Sequence, residues 1–446
     1  MTIRFRLAMQ RAAAFGLCAL ASGQSIAQTA PAAAPKIDAA DTGFMIVATA
    51  LVLMMTIPGL ALFYAGMVRR KNILAIFGQC LAATALVSVL WVALAYSLAF
   101  SGDAPYLGNL SRVFLAGMQF EGVSPLAKTI PEALFMMYQM TFAVITVALV
   151  AGAVADRMKF SAFLLFSSLW LFIVYVPSAH WVWGGGFLGA MGLLDFAGGT
   201  VVHINAGIAG IVAALVLGPR LGFGKENMSP FDLGLACIGL GLLWVGWFGF
   251  NGGSALGAGP RAVYAIVATH LAACAGALVW TLLEWLQRGK PSVLGVISGA
   301  VAGLGTITPA SGFVLPWHGL VIGALAGAVC YWACIILKQR LKYDDSLDVF
   351  GVHGAGGILG TLMAGVFATA ALSVSPETPN GLPGLLEGNP GQLMIQAIGV
   401  AVTVAWCAAG TFAALKITQA VTGLRVTPDD EREGLDLALH GESIQG

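Results

Sequence analysis

The sequence predicts an all-α integral membrane protein: eleven transmembrane helices, of which ten form a 5+5 inverted-topology repeat and the eleventh stands outside it. Three observations predict this. Hydrophobic residues make up 58% of the 446 and charged residues only 10%, against about 45–50% and about 25% in soluble proteins. Charge this sparse cannot cover a soluble body of that size. Apolar runs of the length that crosses a bilayer, about 20 residues, recur along the chain. Finally, TVVHINAGIAG (200–210) and FGVHGAGGILG (350–360) align as His203-x-x-x-Gly207-Ile208-x-Gly210 and His353-x-x-x-Gly357-Ile358-x-Gly360.

Residues 1–27 read as a signal peptide. Arg4, Arg6 and Arg11 precede the apolar AAAFGLCALA, and Ser-Ile-Ala offers a cleavage site before Gln28. Residues 28–42 are rich in Ala and Pro and read as a disordered lead-in. Spans then fall near 43–68, 73–100, 131–154, 160–179, 200–218, 231–251, 262–285, 293–308, 317–338, 351–372 and 391–420. The segment 293–308 is short, and 391–420 is long enough to tilt or bend. Arg69, Arg70, Lys71, Arg157, Lys159, Arg220, Lys225, Arg288, Lys290, Lys338, Arg340 and Lys342 gather at the odd-numbered joints, against Arg112, Lys128 and Arg261 at the even ones. The positive-inside rule puts the N-terminus outside and the C-terminus in the cytoplasm, as a cleaved signal also requires. The helical domain is 43–423. The tail, 424–446, reads as a solvated cytoplasmic segment, with a regulatory contact as the sharper option.

Net charge is +1, which gives no argument for nucleic acid. The seven cysteines form no Cys-x-x-Cys pair and read as small packing residues. The chain has no nucleophile elbow, P-loop, HExxH or dinucleotide fingerprint, so neither an enzyme, a metal nor a cofactor is expected. His180 reads as an interfacial histidine beside Trp181 and Trp183, and His270 as a packing histidine. His318 and His440 read as loop or tail residues. Glu284 and Arg288 suit a helix-face ion pair, and Asp344, Asp345 and Asp348 suit a helix N-terminus.

His203 falls in span five and His353 in span ten, so spans one to five and six to ten are matching halves. Five is odd, and the second half therefore enters the membrane from the opposite side. Such repeats place a transport site near the midplane. Phe63-Tyr64-Ala65-Gly66 and Phe250-Asn251-Gly252-Gly253 at the ends of spans one and six give a weaker second correspondence. An unpaired buried polar group costs roughly 1–3 kcal/mol, and two imidazoles satisfy one another by sharing a hydrogen bond. Tandem imidazoles cannot both stay protonated in a dry pore, because desolvation and mutual repulsion oppose the charge. Ionisable groups at membrane depth line pathways. The pair suits a small neutral solute that donates and accepts hydrogen bonds, or a proton hop.

At these residues the chain resembles the ammonium transporter (Amt/Mep/Rh) family, the bacterial Amt branch in particular. The resemblance is carried by DFAGGTVVHINAGIAG (195–210), FYAGMVRRKN (63–72), YQMTFA (138–143), AHWVWGGG (179–186), GWFGFNGGSA (246–255), GKPS (289–292), ITPASG (307–312), DVFGVHGAGG (348–357) and EREGLD (431–436). It runs from about residue 43 to 440.

The resemblance implies a homotrimer in the bacterial inner membrane, each protomer with its own pore through the ammonium transporter fold. It implies that Trp183, Phe142 and Ser254 form an external ammonium site with Ala197 nearby, that Phe142 and Phe250 stack as a gate, and that His203 and His353 pair in the pore below. Asp195 corresponds to a buried structural aspartate. Tyr64, Trp247 and Thr308 match pore-adjacent positions. Tyr138 stands where the family often has phenylalanine and is expected to add a hydroxyl at the vestibule. Ammonium would lose its proton near the gate, ammonia would pass the apolar pore, and the proton would cross by the histidine pair, as uptake of a nitrogen source. A P-II signal protein is the implied cytoplasmic partner, beside membrane lipid. The alternative reading is an ammonium sensor on the same scaffold; the short tail, with no appended signalling domain expected, favours transport.

Overall fold

The computed structural model describes residues 36–374 and 378–444. The expected signal peptide and positions 28–35 of the lead-in lie outside them. Among the described residues ten helices are long and apolar enough to cross a membrane: α1 Ala39–Met67, α2 Arg70–Phe100, α3 Glu132–Val154, α4 Phe160–Ala190, α5 Gly199–Leu217, α6 Leu233–Gly252, α7 Pro260–Arg288, α9 His318–Leu341, α10 Phe350–Phe367 and α11 Pro390–Thr422. The eleventh, α8, is the short apolar helix Val293–Ile307.

Helices α1 and α4 run beyond the expected bounds. Helix α1 begins at Ala39, so 39–42 is helix and not lead-in. The Asp38 carboxylate accepts from the backbone N–H groups of Ala40 (2.8 Å) and Asp41 (2.9 Å), donors that have no partner within a helix. Helix α4 extends well past residue 179, carrying Trp183 at the end of its main run. Helix α8 has 15 residues, roughly 22 Å at about 1.5 Å per residue, too short for a hydrocarbon core of about 30 Å. Val293 and Val296 near its start are exposed, but Gly299 to Ile307 are all buried, so protein walls the rest of its length. At Gly276 of α7 a Cβ would lie 2.4 Å from the Gly299 carbonyl oxygen, and at Gly303 a Cβ would lie 2.2 Å from that of Ala272. Glycine at these crossings lets α7 and α8 pack backbone to backbone.

The two halves match in local geometry as well as in sequence. Helix α5 opens with a π-helical segment, Gly199–Ile204, followed by the 13 α-helical residues Asn205–Leu217. Helix α10 opens with Phe350–Gly354 in the same wide conformation, followed by the 13 residues Ala355–Phe367. Each histidine sits in its π-helical segment.

Two of the basic residues that sorted to one side, Arg69 and Arg220, join a largely buried network with Asp156 and Asp344. Asp156 pairs with Arg69 (2.9 Å) and Arg220 (3.4 Å), and Arg220 also clamps both oxygens of Asp344 (2.8 and 3.0 Å). Burial pushes the Asp344 carboxyl up, but the Arg220 guanidinium outweighs it and holds the group below its ordinary range.

The tail does not behave as a solvated segment. It folds into α12 (Pro428–Glu433) and α13 (Leu435–His440) and docks on this network. The Asp436 carboxylate accepts from the Ala75 N–H at 2.8 Å, in the first turn of the regular α-helical part of α2. Asn72 accepts from Leu435 N–H at 2.8 Å, and Glu431 accepts from Leu221 N–H at 2.7 Å while pairing with Arg425. Glu431 and Asp436 are 1% and 3% exposed. A carboxylate at a helix N-terminus is favoured by the dipole and by orphan donors together, which seats Asp436 on α2, while Glu431 satisfies a loop N–H and Asp429 and Glu433 stay exposed.

Candidate functional site

Asp195 organises the start of α5. Its carboxylate accepts from the backbone N–H groups of Gly198 (2.7 Å), Gly199 (2.6 Å), Thr200 (2.7 Å) and Val201 (3.3 Å), and from the Thr200 hydroxyl. Gly198 takes φ +121° to turn the chain into the helix, a conformation side chains rarely adopt. The Asp195 carbonyl accepts from Trp183 Nε1 at 2.8 Å and so fixes that indole. One residue thus caps the helix that carries His203 and aims the aromatic ring above it.

Why each histidine is followed four residues later by glycine is a matter of helix crossing. A Cβ at Gly207 would lie 2.2 Å from Cα and N of Gly354, next to His353. A Cβ at Gly357 would lie 3.0 Å from the Gly199 carbonyl oxygen, His203 Cβ and Ile204 N. Each glycine admits the backbone of the other helix beside its histidine. The result is a direct contact: His203 Nδ1 and His353 Nδ1 are 3.1 Å apart, with rings 9° from parallel. Between two ring nitrogens only one proton can lie, so one is donor and the other acceptor. His203 is 1% and His353 5% exposed.

The pair borders a cavity of about 20 Å³, walled mainly by Met55, Leu60, Ile145, Leu149, Val202, Leu243 and Val301. A water needs about 10–15 Å³, so the space takes about one small molecule. Trp247 closes one side, its indole 15° from the His203 ring plane with centroids 5.7 Å apart. Phe63 and Tyr64 line both this cavity and a wider one of about 360 Å³ on the side of the basic residues. At the other end Phe250 stacks on Phe142, centroids 4.1 Å apart and planes 20° from parallel.

Beyond the stacked pair lies a vestibule of about 260 Å³ lined by Phe142, Trp183, Ser254, Gln139 and Phe196 together with apolar residues. Trp183 meets Phe142 edge-on at 5.8 Å. Ser254 donates its hydroxyl proton to the Phe250 carbonyl at 2.9 Å, which leaves its lone pairs for a donor in the vestibule.

Most residues singled out from the sequence thus converge, and three differ in detail: Tyr138, Ala197 and His180. Tyr138 is 1% exposed and does not line the vestibule; its hydroxyl donates to the carbonyls of Gly249 (3.0 Å) and Phe250 (2.8 Å) and lies 3.4 Å from Ser254 Oγ. A phenol buried among helices must spend its proton on the nearest acceptors. Ala197 is fully buried and does not line the vestibule. Thr308 sits one residue back from the cavity: it accepts from Trp247 Nε1 at 2.9 Å and so holds a ring that lines it. His180 is fully buried and not interfacial, its nitrogens 2.9 Å from the Ala99 carbonyl and 2.6 Å from that of Ala104, so it pins the loop after α2. Phe63 takes no site role from the sequence alone, although its correspondence with Phe250 points to one: the two phenylalanines bound the same cavity.

The Tyr138 geometry carries a prediction. Tyr138→Phe frees the carbonyls of the Phe250 turn and loosens Ser254. We expect the substitution to cost about 1 kcal/mol of stability, the worth of one hydrogen bond. A lower thermal midpoint of the purified variant checks it, and an unchanged midpoint would contradict it.

The profile of the Ammonium Transporter Family matches residues 43–444. An ammonium transporter of Bacillus subtilis is 47% identical over 404 residues, covering 90% of this chain and 97% of the relative. The crystal structure of Saccharomyces cerevisiae Mep2 superposes with a TM-score of 0.81 at 35% identity, covering 88% of each chain. A sensor Amt protein superposes with a TM-score of 0.81 at 28% identity, covering 90% of this chain and 98% of its own.

Proposed function

Because this multi-pass membrane protein belongs to the ammonium transporter family, we propose that it recruits ammonium at Trp183, Phe142 and Ser254, strips one proton, and conducts ammonia and the proton separately. The observation that carries the reading is the pair of imidazoles in contact beside a narrow, otherwise apolar cavity. Aromatic faces attract a cation, and the Ser254 lone pairs accept one of its N–H groups. The stacked rings of Phe142 and Phe250 leave a hydrated ion no passage, so they act as the gate. An ion that cannot shed a proton meets apolar walls with no ring of carbonyls to replace its water, and potassium is excluded on that ground. Ammonia, being neutral and small, fits the space beside His203 and His353. The imidazoles relay the proton because each can accept on one nitrogen while donating from the other. Asp195 holds the external site together from behind, Trp247 and Thr308 wall and brace the pore, and Tyr64 lines its inner end.

The net event is electrogenic uptake from the side of the vestibule to the side of the basic residues. In this reading the N-terminus is outside, the C-terminus is in the cytoplasm of a bacterial cell, three copies assemble, each with its own pore, and a P-II signal protein acts at the cytoplasmic face. The likeness to a sensor Amt protein supports a second reading in which the pore binds ammonium and the docked tail reports it. Purified protein in liposomes on a solid-supported membrane separates the two. Transport predicts an ammonium-evoked charge movement that persists as a sustained flux. A pure sensor binds ammonium and shows no flux, and that outcome would overturn the proposal.

A further inference from the structure

The external site as so far described offers the cation one oxygen, that of Ser254. An ammonium ion presents four N–H groups, and ring faces satisfy its charge better than its hydrogen bonds. A second oxygen is available. Gln139 lines the same vestibule as Phe142, Trp183 and Ser254. It lies three residues before Phe142 on α3, which puts the two side chains on one helix face. Gln139 is only 8% exposed, yet its Oε1 has no hydrogen-bond partner among the described residues. Leaving a buried acceptor unmade costs about 1–3 kcal/mol. The neighbouring polar groups are all engaged elsewhere: Trp183 Nε1 by the Asp195 carbonyl, the Ser254 proton by Phe250, and the Tyr138 hydroxyl by Gly249 and Phe250. What Gln139 lacks is a donor, and the vestibule is where a donor-rich cation would stop.

We infer that Gln139 is a specificity-determining residue of the external site, its carboxamide oxygen accepting a second N–H of bound ammonium opposite Ser254. The inference rests on the proposal that Trp183, Phe142 and Ser254 bind the cation, and adds the group that tells ammonium from alkylated amines. Methylammonium has a methyl group in one of the four directions. It cannot serve both oxygens and the two aromatic faces with N–H groups, so each added acceptor favours the unsubstituted ion. A site built to pair with a donor discriminates more sharply than an apolar wall does.

The test uses full-length protein in liposomes, with current titrated against ammonium and against methylammonium. Gln139→Leu removes the acceptor and keeps an apolar body of similar size. Half-saturating ammonium should rise about tenfold, in line with a hydrogen bond to a charged group. The methylammonium value should rise less, so that the preference between the two falls several-fold. Gln139→Glu keeps an oxygen in place and should hold half-saturating ammonium near or below the native value. A loss of packing alone would move both substrates together and would not be rescued by glutamate. Equal shifts for the two substrates, or none, overturn the inference. Should the leucine variant not assemble, Gln139→Met compared with Gln139→Glu reads the same difference. Ser254→Ala, run beside them, keeps two failures apart. If it weakens ammonium while Gln139→Leu does not, only this inference falls. If neither changes the titration, the external site itself is misassigned.

Discussion

Gly207→Ala is expected to abolish ammonium-evoked current in a protein that still reaches the membrane. The added Cβ would sit 2.2 Å from the Gly354 backbone, and real Cβ atoms essentially never come within 3.0 Å of a neighbour. Ordinary carbon contacts begin near 3.5–4.0 Å. The helices must therefore part by about 1.5 Å, on the order of what takes a 3.1 Å contact between ring nitrogens beyond hydrogen-bonding range. No flexible side-chain end is available to give way, since the opposing atoms are backbone. Gly357→Ala makes an internal control. Its Cβ would meet its neighbours at 3.0 Å, a tighter fit that asks for a few tenths of an ångström, so its current should fall but persist. Current per protein in liposomes for the two variants checks the order; a Gly207→Ala protein as active as native would mean that the crossing does not set the histidine contact.

Asp195→Ala is expected to cost the most stability of any single substitution near the pore. It strands four backbone N–H groups and the Thr200 hydroxyl, all buried. Each stranded donor costs about 1–3 kcal/mol, and the Trp183 indole loses its fixed anchor as the turn shifts. Asp195→Asn keeps the shape but supplies one accepting oxygen in place of two, so it should fall between native and alanine. Thermal midpoints of the three purified proteins should rank native, then Asn, then Ala, with current following the same order. An alanine variant with the native midpoint would contradict the capping role.

Much of this was legible in the sequence, for reasons that differ by residue. The spans are legible because hydrocarbon thickness sets a length of apolar chain, and the short α8 was flagged by the same ruler. The histidine contact is legible because a duplicated His-x-x-x-Gly pattern fixes both the polar group and the crossing that brings it to its mate. Duplication was also the signal for Phe63, paired with Phe250. The direction of Tyr138 was not legible, because its partners are backbone carbonyls of Gly249 and Phe250, which every residue type carries alike. Neither was the docking of the tail: Asp436 meets Ala75 across 361 positions, and an acidic run reads the same whether it meets water or a helix N-terminus. Gln139 shows a third limit, since one glutamine on an apolar helix announces nothing until the oxygen is seen without a partner. His180 is hard to read because neighbouring tryptophans suggest an interface, whereas the two carbonyls it meets, Ala99 at the end of α2 and Ala104 in the loop after it, are distant in sequence.

In the proposed mechanism the two imidazoles carry the proton that ammonium leaves behind. The most direct measurement is ammonium-evoked charge movement in liposomes containing the protein with His203→Leu and His353→Leu combined. Leucine fills the volume but neither accepts nor donates a proton, so the current is expected to vanish. A current undiminished in that double variant would contradict it, since the charge would then cross without the pair.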